Sequence, residues 1–97
     1  MATYVVLVNF TDQGIRNVKD TRKRAEAFKE IAKKLGVTVK DTYWTLGQYD
    51  VVTILEAPDA ATVTALSLSV GALGNVRTQT LAAFSAIEIG GILDKML

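Results

Sequence analysis

For chemistry, this 97-residue chain has ten acids, eleven basic residues, three tyrosines and one tryptophan; it contains no cysteine and no histidine. Without histidine the commonest general base and the imidazole metal ligand are both missing, and so is an axial imidazole for haem. Without cysteine there is no disulfide framework and no thiolate metal site. A metal would need clustered oxygen ligands, and no calcium-loop spacing of carboxylates occurs. No metal and no cofactor are therefore expected. Catalysis here would need a reactive substrate or carboxylate chemistry, so whether the chain is an enzyme stays open.

The densest chemistry-bearing stretch is Gly47-Gln48-Tyr49-Asp50. Asp50 has the type of a general base. Tyr49 has the type of a hydrogen-bond donor, because a phenol of ordinary pKa, about 10, stays protonated at neutral pH. Arg77 can hold a carboxylate or other anion with two parallel bonds. Thr11, Gln13 and Asn75 add neutral polar groups, and Tyr43 and Trp44 offer aromatic faces. A structural reading stands beside each of these. Gly47 serves a turn that needs positive φ. Asp50 caps backbone amides or pairs with Arg77. Tyr49 is an ordinary strand aromatic.

The elements that must position these residues follow from periodicity. Residues 3–10 are β-branched and aromatic without a break and read as a strand. Thr11-Asp12-Gln13-Gly14 reads as cap and turn. A helix is expected over 15–35, with Phe28, Ile31, Ala32 and Leu35 at helical spacing, Val18 and Ala25 near the stripe, and Gly36 at its end. Strands are expected over 37–45 and 49–57, joined tightly at 46–48. Pro58-Asp59 opens a second helix carrying Val63, Leu66, Val70 and Leu73, which Gly74 closes. A fourth strand is expected over 76–84 and a helical tail over 86–96.

The order is strand, helix, strand, strand, helix, strand: a single ferredoxin-like α+β domain over 1–97, with the tail 86–97 a short helix. Its four-stranded antiparallel sheet has two helices on one face. Alternating strand direction brings the end of the first strand, the turn at 46–50 and the start of the fourth strand to one edge. That edge is the candidate ligand site: Thr11, Gln13, Gly47, Gln48, Tyr49, Asp50, Asn75 and Arg77. Asp50 and Tyr49 are the candidate catalytic groups, for a small anionic or aromatic ligand. Tyr43 and Trp44 alternate faces, so one of them at most reaches a given pocket.

The strands also speak of association. Val5 and Leu7 point to one side of the first strand, and Tyr4, Val6, Val8 and Phe10 to the other. In the third strand Tyr49, Val51 and Leu55 oppose Val52 and Ile54. A sheet covered on one face needs a polar second face. Each large apolar side chain taken out of water contact gains about 1.5–3 kcal/mol. A contiguous apolar face marks an interface. A homodimer or higher oligomer is expected, the alternative being that the apolar tail folds back over its own sheet.

Residues 15–40 hold nine of the eleven basic residues and three acids. Nucleic-acid binding is the third reading. Glu26, Glu30 and Asp20 interrupt the basic run, its charges spread around the helix, and no RNP-like motif is present, which favours a solvated face. No apolar run approaches the length of a membrane span, and no basic leader precedes the first strand. The expected location is cytoplasmic.

Residues 46–50, Leu-Gly-Gln-Tyr-Asp, resemble the glycine-x-tyrosine-aspartate signature of the GYD domain family. So do Phe10-Thr11-Asp12-Gln13-Gly14-Ile15-Arg16-Asn17-Val18, Glu56-Ala57-Pro58-Asp59 and Gly74-Asn75-Val76-Arg77-Thr78 resemble other segments of that family. The resemblance covers nearly the whole chain and implies a dimeric α-β barrel association. It assigns no reaction. Related barrels include cofactor-free monooxygenases acting on aromatics and haem enzymes, and the missing histidine departs from the haem type.

Overall fold

A computed structural model describes all 97 residues. The first strand, β1 (Ala2–Phe10), lies in the interior of the sheet because it is the most continuously β-branched segment. It pairs antiparallel with β3 (Val51–Ala57) on one side and with β4 (Val76–Ala83) on the other. β2 (Thr38–Trp44) adds outside β3, giving the order β2-β3-β1-β4. A bulge at Lys40 interrupts the β2–β3 register between Val39 and Asp41.

One face carries the core. Tyr4, Val6, Val8, Val51, Leu55 and Ala57 point from β1 and β3 towards Ala32 of α2 (Thr21–Lys34) and Val63 and Leu66 of α3 (Ala60–Gly71). Asp59 caps α3 in extended backbone, its Oδ1 accepting from the Thr62 amide at 2.8 Å. Pro58 therefore precedes the cap rather than entering the helix.

The long helix expected over 15–35 is two pieces. Thr11 caps a five-residue helix, α1 (Asp12–Arg16), and a 3-10 turn at Val18–Asp20 turns the chain into α2. Val18 is thus exposed and off the α2 stripe. The third strand begins at Val51, not at 49. Tyr49 lies in the preceding loop, where strand alternation no longer dictates its side, and it joins the open face instead of the face of Val51 and Leu55. Likewise α3 stops at Gly71, and Gly74 belongs to the turn before β4.

The last helix, α4 (Ala86–Leu93), is shorter than expected. Its start is a capping box: Ser85 Oγ accepts from the Glu88 amide at 3.1 Å, and Glu88 Oε1 accepts from the Ser85 amide at 3.0 Å. No residue of α4 is buried. It does not fold back over the sheet, and the molecule measures 50 × 31 × 18 Å. The open face keeps the apolar register rows Val52–Leu7 and Ile54–Val5, with Leu81 and Tyr43 exposed beside them. No helix is long and apolar enough to cross a membrane.

Candidate functional site

The sequence places eight candidate residues at one sheet edge. They occupy that edge in three separate arrangements. The first ties α1 to the start of β4. Thr11 Oγ1 donates to the Gly74 carbonyl at 2.5 Å and accepts from the Gly14 amide at 3.1 Å. The Thr11 amide donates to the Asn75 carbonyl at 3.0 Å. Gln13 Nε2 donates to the Leu73 carbonyl at 3.2 Å and to Asn75 Oδ1 at 2.9 Å. The approach is so close that a Cβ on Gly14 would lie 1.9 Å from the Asn75 carbonyl oxygen. Thr11, Gln13 and Asn75 thus bond one another, and the Gly14 amide at the start of α1 is already taken.

The second arrangement is the turn into β3. Gly47 holds φ +124°, backbone that a side chain would strain. Gln48 is exposed beside it. Thr45 closes the turn, its hydroxyl donating to the Tyr49 carbonyl at 2.6 Å and its amide to the Asp50 carbonyl at 2.8 Å. Asp50 then continues the ladder beyond β3. Its amide donates to the Val8 carbonyl at 2.9 Å, and its Oδ2 accepts from the Phe10 amide at 2.9 Å. The carboxylate replaces the backbone acceptor that β3 lacks there, so its contact is to main chain and not to Arg77.

The third arrangement lies on the open face. Tyr49 Oη donates to Gln79 Oε1 at 3.1 Å, and Arg77, opposite Asn9 in the register, is exposed there and pairs with no acid. Tyr43 shares this face, whereas Trp44 turns to the helix side.

On the helix side, under α2 and α3, is a cavity of about 130 Å³. Phe10, Phe28 and Trp44 line it, with Arg24 and Thr21 from α2 and buried Thr53 from β3. Trp44 Nε1 donates to Thr21 Oγ1 at 3.0 Å, linking β2 to α2. Of the residues singled out in the sequence for a ligand, Trp44 and Asn75 line this cavity, whereas Arg24 and Phe10 were not read as part of a site. The signal was present: Arg24 stands four residues before Phe28 and seven before Ile31, a cation on the apolar stripe.

The ionisable groups displaced from their ordinary range lie at caps, away from both places. The Thr62 hydroxyl, then its amide, holds Asp59 below the usual carboxylate value. The Ser85 amide, then its hydroxyl, does the same for Glu88.

A four-stranded antiparallel sheet in this order, with α2 and α3 on one face, defines the ferredoxin-like α+β class. A solved structure of FFRP-DM1 shares the fold, with TM-score 0.60, 19% identity, and 87% of this chain and 100% of that one covered. The GYD domain family matches residues 4–93, and the chain belongs to it. A curated relative from Thermus thermophilus, named glutamine synthetase and cystathionine beta-lyase binding protein, is 38% identical over 90 residues, covering 92% of this chain and 95% of that protein. The crystal structure of TTHA0845 from the same organism aligns with TM-score 0.58 and 27% identity, over 89% of this chain and 96% of that one.

Proposed function

We propose that this chain is a self-associating protein-binding module that docks on metabolic enzymes. The observation that carries the reading is α4. Ile89, Ile92 and Leu93 recur at helical spacing along it, and all are exposed, Leu93 by 55%. Nothing in the same subunit covers them. The open sheet face, with Val5, Leu7, Val52 and Ile54, packs on a second copy, and α4 remains outside that contact to meet the partner. The name of the Thermus relative supports the kind of partner.

The test is to measure binding of the purified chain to glutamine synthetase and to cystathionine beta-lyase by surface plasmon resonance, with molar mass followed by light scattering. The chain binds at least one enzyme as an oligomer. The Ile89→Glu/Ile92→Glu variant loses that binding and keeps its oligomeric mass. Binding that survives the double variant refutes the assignment to α4, and a monomeric parent refutes self-association.

A second reading, small-molecule binding at the edge, has one supporting observation: Arg77 carries a charge with no acidic partner on the face that holds the Tyr49 hydroxyl. On this reading an anion sits on Arg77 and Tyr49 turns its hydroxyl from Gln79 to donate to it. Arg77→Gln would then abolish anion-induced chemical-shift changes at Tyr49 and Gln79, and changes that persist in the variant would refute it.

A further inference from the structure

The cavity between the sheet and α2 is graded from floor to mouth. Leu55 and Leu66 are 0% and 1% exposed at its floor, with Thr53 at 4%; Trp44, at 45%, stands at its mouth. Its volume, about 130 Å³, is near that of an apolar cavity of about 150 Å³ that takes up benzene from water. A space of this size with aromatic walls admits one ring.

The mouth also carries a cation. Arg24 is half-buried, and its guanidinium lies 5.6 Å from the centre of the Phe10 ring. Nη2 donates to the Gly14 carbonyl at 3.1 Å and Nη1 to the Asn17 carbonyl at 3.3 Å. These bonds orient the group without neutralising it. A guanidinium has five N–H donors, so three remain. The ion pairs of the chain, Lys29–Glu26 and Lys40–Glu56, do not involve it. A half-buried charge with donors to spare beside an apolar hole is matched by an anion attached to an apolar body.

We propose that this cavity binds a one-ring carboxylate, the ring among Phe10, Phe28 and Trp44 and the carboxylate on Arg24. The proposal does not depend on either reading above, because α4 and Arg77 lie outside the cavity. Trp44 and Thr21 stand at the opening, where their hydrogen bond joins β2 to α2 and fixes the indole beside the ring.

Trp44 is the single tryptophan of the chain, so its fluorescence reports the cavity directly. Titration of the intact protein with benzoate should change that fluorescence saturably, with a dissociation constant on the order of 0.1 mM for a ligand this small. Benzyl alcohol, of similar shape without the charge, should bind more weakly. Arg24→Gln should weaken benzoate about tenfold or more and leave benzyl alcohol unchanged, since only the charge-assisted bond is lost. Ala25→Leu, which fills the cavity from α2, should remove both ligands while Arg24 remains. Circular dichroism melts check that each variant is folded; should Arg24→Gln unfold, Arg24→Lys with Ala25→Leu decides, because the lysine variant must retain benzoate. No saturable change with benzoate, or equal affinity for benzoate and benzyl alcohol, overturns the proposal. So does benzoate binding that Ala25→Leu leaves intact.

Discussion

Replacing Gly14 by alanine should be among the most damaging single-methyl changes this chain can suffer. The added Cβ would sit 1.9 Å from the Asn75 carbonyl oxygen, and the backbones must part by about 1.1 Å to reach even 3.0 Å. The atoms the Cβ would meet are all main chain of Asn75, so no side chain can swing aside. The separation pulls on Thr11 N–Asn75 O, Thr11 Oγ1–Gly74 O, Gln13 Nε2–Leu73 O and Gln13 Nε2–Asn75 Oδ1. Each such bond contributes about 0.5–1.5 kcal/mol net, so losing most of them costs about 2–4 kcal/mol. For a domain of this size that lowers Tm by about 8–32 °C, at about 4–8 °C per kcal/mol. Gly71→Ala is the matched control. Gly71 ends α3 with no atom within 4 Å of an added Cβ, so alanine there gains about 0.5–1 kcal/mol from reduced backbone entropy. Both variants are melted by calorimetry at one protein concentration, since association shifts Tm. A Gly14→Ala protein melting within about 3 °C of the parent would refute the close-approach argument.

Asp50→Ala should cost about 2 kcal/mol, because the Phe10 amide loses a charged acceptor, while Asp50→Asn, which keeps a neutral oxygen there, should cost about half of that; urea melts showing equal loss would refute the role of the charge. The α4 cap should weaken in acid. The folded Glu88 carboxyl titrates below its ordinary value of 4.5, so its contribution is present above that pH and is lost as pH falls through the lower folded value, which the Ser85 and Glu88 amide shifts would follow by NMR. Ser85→Ala should remove about 1 kcal/mol of α4 stability and reduce, but not abolish, that pH dependence, because the amide of residue 85 still donates to Glu88.

The order of strands and helical segments along the chain and the shared edge were legible in the residues. Continuous β-branched runs can be satisfied only in sheet, and the apolar stripe of residues 25–32 only as a helix against it. The two-faced apolar character of β1 and β3 was also legible, since alternation is local. Four things were not. The break between α1 and α2 depends on Thr11 and Gly14 meeting Gly74-Asn75, about sixty residues on. The side taken by Tyr49 depends on where β3 begins, which its pairing with β1 decides. That Asp50 accepts from a backbone amide was one of its readings, but which amide was not legible, because Phe10 lies 40 positions away. The cavity under α2 exists only through the spacing of helix and sheet, which packing sets and no local pattern encodes. The sequence alone therefore determined which surfaces are apolar and which segments pair. Only the tertiary structure decided which polar groups are spent on main chain and which, like Arg24 and Arg77, keep donors free for a partner.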